Sequence, residues 1–459
     1  MSSTTPTTTP PRDPLPLLRS VALGAIIGAF CGASSALFLW LLEHATRLRI
    51  EHELIVYALP IAGLALGFVY ERFGASIKGG NNLVIDTIHD GGTEIPLRMA
   101  PMVLVGTVLT HLFGGSAGRE GTAVQMGASF ADWLAHRLRL DAQLRRQLLA
   151  AGVAGGFGAV FGTPIAGAIF GLEFVVLGRI EYRALVPALV ASLVGDLVTR
   201  ALGIVHTPYH ATSHLALTPL LLGKWVLFAV AIALTATAFI ELTHLLKRTS
   251  EKHLARLPLR MFVGGVVVVV LWKLIGTSDY LGLGVPTIVR AFDDPTLPTY
   301  AFAAKLVFTA VTLGAGFLGG EVTPLFFMGA ALGGVLAKLL GLPLELGAGV
   351  GMAAMFAAAS NTPLALSIMA VELLGAEILP HVAIVAVLAY LLTGHRSIYT
   401  AQRVLLGKDG AALPRVMALR ELAASRAPPS TADSAPHVSA PPSSPAPSSK
   451  RRDKRTRKP

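Results

Sequence analysis

The sequence predicts an all-α, polytopic membrane protein assembled from two related halves. Three observations predict it: long stretches without charge, motifs that recur once at a near-constant offset, and polar, glycine-flanked interruptions between apolar segments. The 459 residues are 53% hydrophobic and 14% charged, with a mean hydropathy of +0.63. A soluble chain carries about 25% charged residues. Residues 20–42, 147–172, 346–371 and 378–394 contain no Asp, Glu, Lys or Arg. Runs of about 20 such residues span a bilayer. In lipid, backbone polar groups must pair within a helix or a closed barrel, and the short alternating segments of a barrel are absent, so the spans are helices.

Taken in order, residues 1–14 are Thr/Pro-rich and read as disordered. The first apolar stretch reads as a span rather than a cleaved leader, because it is long, lacks a clear small-residue cleavage site and is followed by more spans. Cys31, the one cysteine, lies in it, which excludes an internal disulfide and a cysteine-based metal site. The membrane body is read as residues 15–407, with halves of about 15–215 and 216–407. Gly152 with Gly156, and Gly158 with Gly162, have the spacing of closely packed membrane helices. Residues 408–459 turn Ala/Pro/Ser-rich and then basic. They read as disordered, too short and too polar for a regulatory nucleotide-binding module. In the last ten residues seven Lys or Arg oppose only Asp453, within a chain of net charge +11. Such a tail places the termini in the cytoplasm and can touch anionic lipid. It has no aromatic residues for base stacking, so nucleic acid is not a partner.

The repeat is the most informative feature. Thr163-Pro-Ile-Ala-Gly-Ala-Ile-Phe-Gly-Leu-Glu173 recurs 199 residues later as Thr362-Pro-Leu-Ala-Leu-Ser-Ile-Met-Ala-Val-Glu372. Gly118-Arg-Glu120-Gly-Thr122 recurs 201 residues later as Gly319-Gly-Glu321-Val-Thr323. Repeated halves mark transporter folds whose site lies near the midplane, where interrupted helices aim their ends at the ion. Pro164, Pro324 and Pro363 interrupt apolar segments here, which predicts broken and re-entrant helices.

Three polar interruptions carry the candidate chemistry: Lys78-Gly-Gly-Asn81-Asn82, Gly118-Arg119-Glu120-Gly121-Thr122 and Gly319-Gly-Glu321-Val322-Thr323-Pro324. A fourth is Ser397-Ile-Tyr399-Thr-Ala-Gln402. An anion in a membrane needs donors without a nearby full negative charge. Free N–H groups at helix starts supply them, glycine lets the backbone approach, and Asn, Thr and Tyr add side-chain donors. An ionisable group inside the membrane body is costly and usually functional, which singles out Glu120. Deprotonated, a carboxylate beside an anion site competes for it; protonated, it withdraws and admits the substrate. That exclusivity couples anion movement to a counter-moving proton.

GGSAGREGTAVQMGAS (residues 114–129), GTPIAGAIFGLEF (162–174) and SIYTAQR (397–403) resemble signature segments of the CLC family of anion channels and anion/proton antiporters. The resemblance covers nearly the whole membrane body and implies a CLC-type inverted repeat of tilted, broken and re-entrant helices. It implies that Glu120 is the gate, that Tyr399 coordinates the anion, and that Asn81, Asn82, Gly118, Arg119, Gly121, Thr122, Val322, Thr323 and Phe327 surround it. Chloride-type members carry Gly-Ser-Gly-Ile-Pro and Gly-Arg-Glu-Gly-Pro motifs. Gly80-Asn81-Asn82-Leu83-Val84, Thr122 and Glu321-Val322-Thr323-Pro324 depart from them and are similar to the fluoride-exporting branch. Asn81 takes the filter serine's position, and Val322 and Thr323 take selectivity positions. Phe327, one turn beyond Thr323, has a positive ring edge to offer an anion or a simple packing role. Phe174 stands where chloride/proton antiporters often place an internal proton-transfer glutamate, which fits one glutamate working alone. Glu173 and Glu372, matched by the repeat, read as structural.

The expected activity is fluoride/proton antiport by a homodimer in the cell membrane of a bacterial-type cell, each subunit with its own pathway. Fluoride, protons and the bilayer are its partners, with no cofactor or metal. A chloride/proton antiporter or chloride channel is the alternative within the family. An intramembrane hydrolase is the alternative from another class; it needs a nucleophile with its base, or a metal pair, and the His-Glu-x-x-His pattern is absent.

Overall fold

A computed structural model describes residues 15–426 apart from 210, 212–214 and 409. The first half of the body comprises α1 (Leu15–Glu51), α2 (Leu59–Phe73), α3 (Asn81–Asp90), α4 (Met99–Leu112), α5 (Glu120–Arg137), α6 (Ala142–Phe161), α7 (Pro164–Glu173) and α8 (Leu185–Ala201). The second half repeats this order as α9 (Pro219–His253), α10 (Leu257–Ile275), α11 (Val285–Arg290), α12 (Ala301–Gly314), α13 (Val322–Leu340), α14 (Leu344–Ser360), α15 (Pro363–Leu374) and α16 (Leu379–Leu392). Each half opens on a helix of 35 residues or more and contains a short one of 10 or 12 that begins at a proline. Proline is tolerated at the first helical position because its missing N–H has no partner there.

Among the described residues, six helical segments are long and apolar enough to cross a membrane. Others, such as α7 and α15, are shorter apolar helices. The long outer helices expose apolar side chains, including Ile26 and Leu37 on α1, Leu227 and Leu234 on α9, and Val270 and Leu274 on α10. Outward apolar faces suit a lipid solvent. By contrast α5, α6, α13 and α14 are buried over most of their length.

Small residues permit that burial. A Cβ added at Gly152 of α6 would lie 2.5 Å from the Gly127 carbonyl oxygen of α5, and Gly351 of α14 faces Gly329 of α13 in the same way. Backbones therefore touch where side chains would hold them apart. Gly156 packs on Ala123 of α5, so the first glycine pair forms one interface. The second pair separates: Gly158 packs on Ser192, whereas Gly162, at φ 74°, ends α6 in the left-handed conformation.

The repeat motif around Glu173 and Glu372 has a reciprocal purpose. The Glu173 carboxylate, at the end of α7, accepts from the Leu364 and Ala365 N–H groups at 3.2 and 2.8 Å. Glu372, at the end of α15, accepts from Ile165 and Ala166 at 2.9 and 2.7 Å. Each short helix caps the start of its counterpart, satisfying N–H groups that have no intrahelical partner.

The structure differs from the sequence reading at the C-terminus. The boundary at 407 falls inside a hairpin of β1 (Arg403–Leu406) and β2 (Ala412–Ala418), and α17 (Leu419–Arg426) follows. The expected disorder is thus not what residues 408 and 410–426 show. Arg403 reaches Asp90 at 2.8 Å and Asp86 at 3.2 Å, and Arg420 reaches Asp86 at 2.9 Å. Both carboxylates lie on α3, and long-range pairing of that kind leaves little trace in local composition. The expectations for 1–14 and 427–459 lie outside the described residues.

Candidate anion pathway

Glu120 opens α5 and Val322 opens α13, so the two symmetry-related helices start beside each other. The preceding loops are tied together: Gly118 N–H donates to the Gly320 carbonyl at 2.6 Å, and Gly320 N–H donates to the Gly118 carbonyl at 2.8 Å. The expected free N–H at Gly118 is therefore engaged by the other half of the repeat. No glycine-flanked motif read alone reveals that pairing.

The Glu120 carboxylate is fully buried between the two helix starts. Its Oε2 accepts from the Arg119 and Thr323 N–H groups, both at 3.1 Å, and its Oε1 accepts from Thr323 Oγ1 at 2.5 Å. The Arg119 guanidinium Nε lies 3.6 Å from Oε1. A negative group thus sits among backbone donors, a hydroxyl and two positive dipole ends, the surroundings that favour any small anion.

Two cavities flank this seat. One, of about 220 Å³, is lined by Asn81, Asn82, Thr122, Gln125, Glu321 and Tyr399, with Lys78 and Lys247 at its walls. The other, of about 830 Å³, is lined by Arg119, His206, Arg47, Glu43 and Glu51. The structure brings Asn81, Asn82, Thr122 and Tyr399 to the first cavity and Arg119 to the second. Val322 and Thr323 are buried between the helix starts.

Each residue is held for a local reason. Asn81 begins α3 after Gly80, whose φ of 54° suits glycine. The Asn81 side-chain Oδ1 has no hydrogen-bond partner. Asn82 Oδ1 accepts from the Ala401 N–H at 2.8 Å, which leaves its NH₂ as the group it offers the cavity. Gly121 lies close against the cavity wall: a Cβ there would be 2.9 Å from Asn81 Nδ2 and 3.2 Å from the Gly320 Cα. The Thr122 hydroxyl pairs with that of Thr107 at 2.7 Å. The buried Tyr399 ring stands edge-on to Phe174, with centroids 4.9 Å apart. Phe174 in turn joins Phe170, Phe157 and Phe356 in an aromatic cluster. Phe327 packs against Gly284 and Tyr280, with Lys305 Nζ 5.4 Å from its ring centroid, and lines neither cavity.

Sequence reasoning missed Thr107, Gln125, His111 and Lys305. Gln125 lies on α5 and lines the first cavity. Lys305 is fully buried on α12 and donates to the Tyr280 and Gly282 carbonyl oxygens at 3.2 and 2.7 Å. An intramembrane Lys or His is a signal in itself, but both fall outside the quoted motifs. Gly114-Gly-Ser116-Ala-Gly118 has the Gly-x-Ser-x-Gly spacing of a hydrolase elbow, which the sequence reading takes to be absent. Its Ser116 hydroxyl, however, pairs with Thr309 at 2.9 Å, and both His111 ring nitrogens face backbone carbonyls. No base stands ready for that serine.

Residues 62–394 match the family described as voltage gated chloride channel. The chain belongs to the CLC family. A relative within it, a chloride/fluoride channel protein of Pseudomonas syringae pv. tomato, is 47% identical over 422 residues, spanning 89% of this chain and 92% of that protein. An H(+)/Cl(−) exchange transporter of Vibrio vulnificus is 26% identical, over 72% of this chain and 73% of its own. The solved structure of a CLC-type fluoride/proton antiporter superposes with a TM-score of 0.83 at 35% identity, covering 86% of this chain and all (100%) of that one. A slow cyanobacterial Cl−/H+ antiporter shares the CLC fold at a TM-score of 0.72 and 16% identity, over 82% and 94% of the two chains. The protein is therefore a multi-pass CLC membrane protein of a channel and exchanger family.

Proposed function

We propose that the chain is a fluoride/proton antiporter that exports fluoride, with Glu120 as the protonatable gate. The observation that carries this reading is the seat of the Glu120 carboxylate, which accepts from Arg119 N–H, Thr323 N–H and Thr323 Oγ1 where an anion would gain most. In the deprotonated state the carboxylate fills the seat. Taking up a proton removes its charge and turns an acceptor into a donor, so the donors are released to a fluoride ion. Loss of the proton on the other side returns the carboxylate and expels the anion. The deprotonated carboxylate and the anion cannot occupy the seat together, and that exclusion is the coupling.

The branch assignment rests on Asn81, Thr122, Val322 and Thr323, on the 47% identical chloride/fluoride channel protein and on the 35% identical fluoride/proton antiporter. Fluoride holds its water tightly, so strong donors such as an amide N–H and a hydroxyl must replace it. Phe174, within an aromatic cluster, supports a proton route without a second glutamate beside Glu173. The 220 Å³ cavity lies at the end carrying α17, with Arg420 on the adjoining cavity wall. By the excess of basic residues at that end it is the cytoplasmic mouth, with both termini on the same side. A homodimer with one pathway per subunit completes the reading.

The test is ion efflux from vesicles holding the purified protein, with fluoride, chloride and proton movement recorded together. Fluoride flux well above chloride, with protons moving oppositely, is expected. Comparable chloride flux would return the chain to the chloride-type alternative. Glu120→Gln removes the titrating group and should abolish proton-coupled fluoride exchange; unchanged coupled exchange would remove Glu120 from the mechanism.

A further inference from the structure

α4 grips the start of α5 on both sides of Glu120. Thr107 and His111 are one helical turn apart, so their side chains share a face of α4. The Thr107 hydroxyl meets that of Thr122, two residues beyond Glu120, at 2.7 Å. His111 Nε2 lies 2.9 Å from the carbonyl oxygen of Ala117, three residues before Glu120, and its Nδ1 lies 2.7 Å from the Thr107 carbonyl oxygen. All three side chains are buried. α12, the counterpart of α4, also holds this loop: the Thr312 hydroxyl accepts from Ser116 N–H at 3.1 Å, and the Thr309 hydroxyl pairs with Ser116 Oγ at 2.9 Å.

We propose that Thr107 and His111 are positioning residues that clamp the backbone on either side of Glu120, so that its side chain swings while its helix stays fixed. The inference rests on the gate reading above and goes beyond it by assigning the fixed part of the device. Thr122 then belongs to the clamp through its hydroxyl, which explains the need for a hydroxyl where chloride-type members carry proline: proline has no group to offer Thr107. The bond from His111 to Ala117 fixes the chain direction into Gly118, whose peptide is already paired with Gly320. With these points held, donors and carboxylate keep one spacing through the cycle, and small displacements at such a site have large kinetic effects.

The charged groups around His111 are Lys305 from α12 and Arg49 from α1, both buried; Glu120 is the nearest acid along the chain on α5. The clamp is therefore tested by coupling and not by pH dependence alone. Thr107→Val and Thr122→Val each break the same hydroxyl pair. Each should lower fluoride exchange by about fivefold or more and reduce the protons moved per fluoride, and the double variant should be no worse than either single one. Thr107→Ser and Thr122→Ser keep a hydroxyl and should restore the ratio. His111→Phe keeps a ring in much of the same space with no N–H to donate, and should also lower the ratio if the valine variants do not fold. Unchanged rate and ratio in these variants, with Glu120→Gln still inactive, would overturn the clamp and leave the gate standing. Unchanged coupled exchange in Glu120→Gln as well would overturn both.

Discussion

At the scale of single residues, the chemistry depends on which groups are already engaged. Asn81 and Asn82 look alike in sequence, yet only Asn82 has its side-chain oxygen held by the chain, at Ala401 N–H. Asn81 sits beside Gly121 on the cavity wall with its own oxygen unpaired. That difference makes Asn81 the better probe of selectivity. Asn81→Ser removes an amide donor, and a hydrogen bond to a charged partner contributes about 1.5–3 kcal/mol. The expected outcome is discrimination against chloride falling by about tenfold or more, measured as fluoride against chloride efflux from the same vesicles. An unaltered preference would take Asn81 out of the filter. The motif located these residues, but local sequence carries no record of a bond to residue 401.

At the scale of elements, the repeat builds the same crossing twice. Gly127 meets Gly152, and Gly329 meets Gly351, with backbone against backbone in both. Gly152→Ala or Gly351→Ala inserts a methyl group where a carbonyl oxygen stands, and overpacking of that kind costs about 1–3 kcal/mol. Gly223 on α9 makes the control, since a Cβ there meets nothing within 4 Å. Gly223→Ala should be neutral or slightly stabilising, because glycine costs about 0.5–1 kcal/mol in a helix interior. Thermal unfolding of the three variants in detergent checks the contrast. Equal midpoints would mean the crossings yield more easily than their geometry indicates. The Gly152 spacing was legible as close packing, whereas the separation of Gly158 from Gly162 depended on where α6 ends.

At the scale of the whole molecule, the hairpin and α17 tie the C-terminal segment to the helix that carries Asn81. Arg403 and Arg420 both reach carboxylates on α3, and Arg403 is itself buried. A chain ending after Arg426 should therefore exchange fluoride at the full rate. One ending after Gln402 should be impaired, since Asp86 and Asp90 lose their partners and α3 loses its brace. Efflux rates of the two truncated proteins, each checked for membrane insertion, decide it. Equal rates would show that α3 holds its place without the hairpin. The boundary drawn at 407 followed a change in composition, and composition is blind to a pairing between residues more than 300 positions apart.

The sequence by itself determined the solvent, the repeat and the list of polar interruptions. Each follows from a local rule: uncharged stretches of helical length suit lipid, a duplicated motif survives as a duplicated motif, and an acid within apolar sequence stands out. Only the tertiary structure decided what those residues face. It engaged the Gly118 peptide with Gly320, turned Glu173 and Glu372 into reciprocal caps, set the Glu120 carboxylate on Thr323, and placed Thr107 and His111 against the chain on either side of Glu120. The reason is physical. Donors inside a membrane have no water to fall back on, so they need partners within the protein, and for Gly118, Glu120, Glu173 and Glu372 the inverted repeat brings those partners from about 200 residues away.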